Sequence, residues 1–397
     1  MAVTQALRDE LLAAVDEERL VARLSEMVTI RSENPFEAPA SPGYQEQEYA
    51  DYLAQAMSEL GLEVVKRDVV PGRPNVWGRF RERNDGTTLM LAGHTDTVGT
   101  EGYDEPFDGR LEDGKIYGRG SCDMKAGLAA YLEAVRVLKE AKVPLTGDLI
   151  VAGICDEEFQ MIGSRDMGKN GPWADFGIIG EPTDLTICPA HKGQFSLFIR
   201  TFGKAVHSSV PELGENAIER MARVVLAFSN YNDELKQATP HALCGHGRFS
   251  PGVIRGGGIV SSVPDYCELE VDRRTLPGES SEEVVAQYRR RLDRLAAEDP
   301  RFRYEISDPS WDVKSLDTPI SSPVVQSLSA AYEVVLGEVP DIHAFPAATD
   351  APNLGFPTVV CGPGSLAQAH TTCEYVEVSQ LVAAARLYLA SALDMVC

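Results

Sequence analysis

The order of elements along the chain predicts an α/β main domain split by an inserted ferredoxin-like (βαββαβ) domain. Short β-branched apolar runs alternate with a helical stripe in the first half. Six elements in the order β-α-β-β-α-β fill the middle, and the chain then returns to helix, strand and helix.

In the first half, LEVVKRDVV (62–70), NVWGRF (75–80) and TTLMLAG (87–93) have the short apolar character of strands. Between Met124 and Lys142, the residues Leu128, Tyr131, Leu132, Val135 and Leu138 fall on one helical stripe, which Pro144 ends. GDLIVAG (147–153) and DFGIIG (175–180) read as buried strands, each running into acidic residues. From Gln194 the pattern changes. QFSLFIRTF is a strand, 216–236 a helix carrying Ile218, Val225 and Phe228, and FSPGVIRG and DYCELEVDRR are two strands. A helix over 281–297 aligns Val284, Val285, Tyr288, Leu292 and Leu295, and FRYEISD closes the insert. A helix from Pro323, the strand PTVVCG (357–362) and a helix from Val378 complete the chain. The expected boundaries are 1–191 and 311–397 for the split main domain and 192–310 for the insert.

The 397 residues, 44% hydrophobic and 24% charged, suffice for two domains with sizeable cores. With 37 basic residues against 60 acidic ones, the formal net charge is −23. Such a surface repels phosphate backbones and anionic lipid, so neither nucleic acid nor a membrane is an expected partner. The N-terminal stretch carries charges throughout, unlike a secretory signal, and no apolar run approaches the roughly 18 residues of a membrane span. Eight scattered cysteines without a CxxC pair read as reduced thiols, which points to the cytoplasm.

The residues able to bind metal fall at strand ends, where an α/β sheet presents its crevice. GHTDTVG places His94 after a strand and Asp96 two residues on, where a carboxylate can accept the second ring N–H of a ligating histidine. Asp123 of GRGSCDMKAG opens a helix, Glu157 and Glu158 of CDEE follow a strand, Glu181 of GEP follows another, and His370 lies beyond the last. Two histidines and three carboxylates suit zinc. Five side chains exceed one catalytic zinc, but with one bridging carboxylate they serve two ions. A glutamate left unligated can act as general base, and Glu157 beside Glu158 is the natural candidate. Singly, a His-x-Asp pair, an acidic doublet or a GEP turn is commonplace; the force lies in their shared placement at strand ends.

With this order of motifs the sequence resembles the M20 metallopeptidase family over nearly its whole length. The resemblance implies zinc ligation by His94, Asp123, Glu158, Glu181 and His370, with Asp123 bridging two Zn2+ per subunit; Co2+ or Mn2+ suit the same donors. It implies Asp96 as the residue supporting His94, Glu157 as catalytic base, and the insert as a lid and dimerisation domain. His207, in GKAVHSSVPELGENAI, would reach the partner's active site in a homodimer and stabilise the oxyanion. Arg274, in VDRRTLPG, would hold a substrate carboxylate; the bland readings are a structural ion pair for Arg274 and a surface charge for its neighbour Arg273. Ser261 stands near the Val-Pro of the lid motif where the family often has asparagine, and with Gly364 it is expected at the substrate. IIGEPTDLTICPAHKG, ATDAPNLGFPTVVCGPG and GPGSLAQAHTTCEYVEV resemble the acetylornithine deacetylase subgroup. The implied activity is hydrolysis of the amide of a small N-acyl amino acid, N-acetylornithine first, in arginine biosynthesis. The alternatives are a dipeptidase or carboxypeptidase, a succinyl-diaminopimelate desuccinylase, and, more distantly, a non-catalytic metal-binding protein.

Overall fold

A computed structural model describes residues 4–36, 46–81 and 86–397. They form two compact units, one of Met1–Ala190, Thr318–Phe345 and Thr349–Cys397, the other of His191–Asp317 and Pro346–Ala348. The insert therefore runs past the expected residue 310. Ser310–Val313 stays with it because it pairs antiparallel along the strand Gly193–Phe202.

Three helices not expected from the sequence open the first unit: Gln5–Ala13, Glu17–Thr29 and Gln47–Glu59. The Asp16 carboxylate caps the second by accepting from the Arg19 N–H at 3.0 Å, and Glu17 and Glu18 complement its dipole. Its buried stripe is Leu20, Leu24, Met27 and Val28.

The large sheet of this unit orders its strands Glu63–Val70, Arg73–Phe80, Leu149–Ile154, Leu89–His94, Phe176–Ile179, Thr358–Val360 and Ile187–His191. The middle four are mutually parallel, and their neighbours on either side are antiparallel. Parallel strands end at a common edge, so the turns after His94, Ile154 and Ile179 converge there. Leu89–His94 and Leu149–Ile154 are buried at every position, which explains their unbroken apolar reading. The helix Lys125–Glu140 is buried from Lys125 to Leu138, wider than the single stripe expected, because it packs against both the sheet and the helix Val378–Met395. Tyr131 on this helix donates to the carbonyls of Ala92 (3.1 Å) and Ile178 (3.2 Å), joining it to two of the strands that end at the edge.

The second unit has the βαββαβ order and a sheet ordered Arg248–Gly256, Tyr266–Thr275, Gly193–Phe202 and Arg303–Ile306, all antiparallel. Burial alternates strictly along Gly193–Phe202, with Phe195, Leu197 and Ile199 facing a core closed by Met221, Val224, Tyr288 and Leu292. The helix expected over 216–236 is two helices, Ala217–Ala227 and Tyr231–Gln237. The chain turns at Phe228, whose ring packs with Tyr231, Phe249 and Tyr288 at centroid distances of 5.0–5.8 Å. That aromatic packing outweighs the continuous helical period. Among the described residues no helix is long and apolar enough to cross a membrane.

Candidate metal centre

His94 ends a central strand, and its Nδ1 lies 2.8 Å from the Asp96 carbonyl. A carbonyl only accepts, so Nδ1 keeps its proton, and Nε2 is the nitrogen that would give up its proton to a metal. Nε2 faces Asp123 Oδ1 at 3.0 Å and Glu181 Oε2 at 3.6 Å. The other oxygen of Asp123 faces His370, with Oδ2 at 3.5 Å from Nε2, and Glu158 Oε2 lies 3.1 Å from the same nitrogen. Asp123 thus stands between two groups, His94 with Glu181 and His370 with Glu158. The donors of His94, Asp123 and Glu158 all fall within 4.8 Å of one another.

The supporting role of Asp96 differs from the expected one. The main-chain carbonyl, not the carboxylate, holds the His94 ring; Asp96 Oδ1 is 3.7 Å from Nδ1. The carboxylate instead accepts from the backbone N–H groups of Glu157 (3.0 Å) and Glu158 (3.1 Å) and from the Asn34 amide (2.7 Å). It fixes the acidic doublet directly. Asn34 also donates to Asp156, which the buried Arg73 guanidinium contacts at 2.6 Å while pairing with Glu46. Sequence reading missed Asn34, Glu46, Arg73 and Asp156, although Asp156 extends the acidic doublet to three residues.

Electrostatics follow from crowding carboxylates away from water. Burial, offset in part by His94 and reinforced by Glu181, Glu158 and Asp350, pushes the Glu157 carboxyl well above its usual range. Burial likewise raises Glu181 to about 7. Burial disfavours charge on His94, but the Glu181 and Asp123 carboxylates prevail and hold its pKa well above 6.5. Hydrogen bonds to Asp123 and Glu158 lift His370 to about 10. Glu181 Oε1 is buried without a hydrogen-bond partner, an orphan that a cation at this place would satisfy. Two imidazole nitrogens and three carboxylates, with one carboxylate shared, fit a pair of divalent ions.

Gly364 adopts φ +90°, and a Cβ there would meet Cys122 Sγ at 2.5 Å. Its N–H donates to Gln380 and its carbonyl accepts from the Asp184 N–H, both at 2.7 Å. These contacts give it a packing task beside the Asp123 loop.

His207, Ser261 and Arg274 belong to the second unit. The Ser209 N–H donates to His207 Nδ1 at 3.2 Å, so this exposed ring carries its proton on Nε2. Ser261 is exposed, and its carbonyl accepts from the Ser208 N–H. Arg274 is partly exposed and its Nε donates to Asp272 at 2.9 Å. Arg273, expected as a surface charge, is wholly buried and paired with both oxygens of Glu279.

The fold and this centre together define a metal-dependent hydrolase. Residues 90–394 match the profile of peptidase family M20/M25/M40, and the chain belongs to that family. It is 35% identical to acetylornithine deacetylase from Vibrio campbellii over 345 residues, covering 82% of this chain and 85% of that protein. It is 29% identical to the N-formyl-4-amino-5-aminomethyl-2-methylpyrimidine deformylase of Bacillus subtilis, covering 89% and 90%. Among solved structures, aminopeptidase PepT from Bacillus cereus ATCC 10987 superposes with a TM-score of 0.79 at 25% identity, covering 96% of this chain and 99% of that one.

Proposed function

We propose that the chain is a two-ion amidohydrolase that removes a small acyl group from an N-acyl amino acid, with N-acetylornithine as the preferred substrate. The observation that carries this reading is the Asp123 carboxylate, which turns one oxygen to His94 and the other to His370. In this reading His94, Asp123 and Glu181 hold one ion and Asp123, Glu158 and His370 the other. When bound, the ions supply Lewis acidity, polarising an acyl carbonyl and lowering the pKa of water. Zinc suits the donors best, with cobalt and manganese as alternatives.

Glu157 takes the proton from the attacking water and passes it to the leaving nitrogen. Among the described residues its carboxylate makes no hydrogen bond or ion pair, so its lone pairs are free for that proton. Asp96 holds the Glu157 backbone in place. The partner subunit's His207 offers an Nε2–H to the oxyanion, and Arg274 binds the substrate carboxylate as a planar fork of donors. This requires a homodimer with the second unit as lid. Two relatives named for removing small acyl groups from nitrogen support a deacylase over a peptidase. Among the described residues the eight cysteines form no disulfide, which supports a cytoplasmic setting.

The test is product release from a panel of N-acetyl, N-formyl, N-succinyl and dipeptide substrates by the zinc-reconstituted protein, with and without chelator. Chelator-sensitive release with N-acetylornithine fastest is the expected result. A dipeptide preference would move the chain to the aminopeptidase-like reading, which the similarity to PepT favours. Chelator-insensitive release, or none across the panel, would sink the two-ion mechanism.

A further inference from the structure

Glu374 lies four residues beyond His370, is fully buried, and sits at none of the donor positions assigned above. Its carboxylate accepts four bonds, all from the loop that ends in Asp123. Oε1 takes the backbone N–H groups of Cys122 (2.9 Å) and Asp123 (3.0 Å). Oε2 takes the Gly120 N–H at 3.1 Å and the Arg119 guanidinium at 2.5 Å. Four donors match the roughly four lone-pair sites of an ionised carboxylate. The Glu374 carbonyl is also engaged, accepting from the Gly118 N–H (3.1 Å) and the Tyr103 hydroxyl (3.0 Å). Arg119 reaches onward to the Thr371 carbonyl at 3.1 Å, one residue from His370. Beyond Glu374, Tyr375–Glu377 pairs antiparallel with Lys115–Tyr117, the strand that leads into the same loop.

The arrangement exceeds what loop stability requires. Backbone N–H groups in a tight loop can find carbonyls or water, whereas here one carboxylate draws three of them to a single point. That point fixes the backbone of the one ligand shared by both halves of the centre. The segment that supplies it also carries a ligand of the second half. We propose that Glu374 is the positioning residue that sets the Asp123 bridge and keeps His370 in register with it, so that it governs how tightly both ions are held. This rests on the two-ion reading above.

The experiment is zinc affinity, measured on full-length wild type, Glu374→Gln and Glu374→Asp by competition with a chromophoric chelator, alongside the visible spectrum of the cobalt-substituted proteins. Glutamine keeps the length but turns an NH2 group toward backbone N–H donors, so two of the four bonds become repulsive contacts. Aspartate keeps the charge but falls one methylene short. Wild type should take up two ions, and both variants should bind them about 10- to 100-fold more weakly, the range for losing a residue that orients a ligand. Their cobalt spectra should shift while circular dichroism stays native. A residue with only a structural task would lower the melting temperature of the metal-free protein and leave zinc affinity unchanged; that result overturns the proposal. If Glu374→Gln does not fold, Glu374→Asp decides alone. No zinc uptake by wild type would remove the two-ion reading itself, whereas two ions in wild type and equal affinity in the variants would remove only the role of Glu374.

Discussion

Glu157 and Glu158 are adjacent in sequence and anchored by the same Asp96 carboxylate, yet their side chains meet different surroundings. Glu158 contacts His370, while Glu157 has no ion-pair or hydrogen-bond partner among the described residues. A proton shuttle needs the second environment and a ligand the first. Glu157→Gln should keep its full complement of zinc by elemental analysis and lose about 10²- to 10⁴-fold in kcat. Near-normal turnover in a metal-replete variant would move the base elsewhere. His191 offers a second test at this scale, independent of the centre. Burial, eased slightly by the Lys192 carbonyl, holds its pKa down to about 4, against an ordinary 6.5. As pH falls below 6.5 the unfolded chain binds a proton that the folded one refuses until about 4. The neutral imidazole's contribution is thus complete above pH 6.5 and shrinks by roughly 2–3 kcal/mol on the way to pH 4.5. Urea unfolding of wild type and His191→Gln at pH 7.5 and 4.5 should show wild type losing ground by that amount; a gap that ignores pH would mean the imidazole is solvated.

At the scale of elements, legibility followed the strength of the local period. Buried parallel strands such as Leu89–His94 announce themselves by unbroken apolar runs, and each ends at or shortly before a residue of the centre. Asp123 and the four side chains that the structure gathers around it were therefore readable from type and place together. The helices before residue 60 were not, because their stripes are narrow and interleaved with many charges, although Asp16 with Glu17 and Glu18 is a start signal in plain view. The break at Phe228 was hidden for another reason. A period records which residues face a core, and the aromatic cluster that turns the chain depends on Phe249 and Tyr288, far along the sequence. The supporting residues are hardest of all. Asn34, Arg73 and Glu374 bond to partners 62 to 255 positions away, as Asn34 does to Asp96 and Glu374 to Arg119. No local pattern encodes such pairings. The reason for glycine at Gly364 was hidden likewise, since the Cys122 thiol that forbids a side chain there is visible only after folding.

At the scale of the whole molecule, the second unit leaves one sheet edge open. Among the described residues Arg248–Gly256 pairs with Tyr266–Thr275 along one side only. Val253 and Ile254 on it are exposed, Ile254 at 55%, and Ile218 and Leu226 on the helix Ala217–Ala227 are exposed too, Leu226 at 70%. Exposed apolar edge strands are templates for pairing; Pro251 and the bulge between Pro251 and Val253 confine that template to the segment from Val253 to Gly256, which also carries Arg255. A second copy related by a two-fold axis can pair the same strand antiparallel to itself and bury both patches at once. The chain's net charge of −23 opposes such association at long range, so salt should strengthen it. Sedimentation equilibrium is expected to show wild type at twice the chain mass, more completely at 0.5 M than at 0.05 M sodium chloride. Ile254→Glu, an exposed change that leaves the fold intact, should give a monomer. If the partner subunit's His207 completes the site, that monomer also loses turnover while retaining its zinc. A monomeric variant with undiminished kcat would show that each subunit works alone, and a monomeric wild type would show that the open edge serves another purpose.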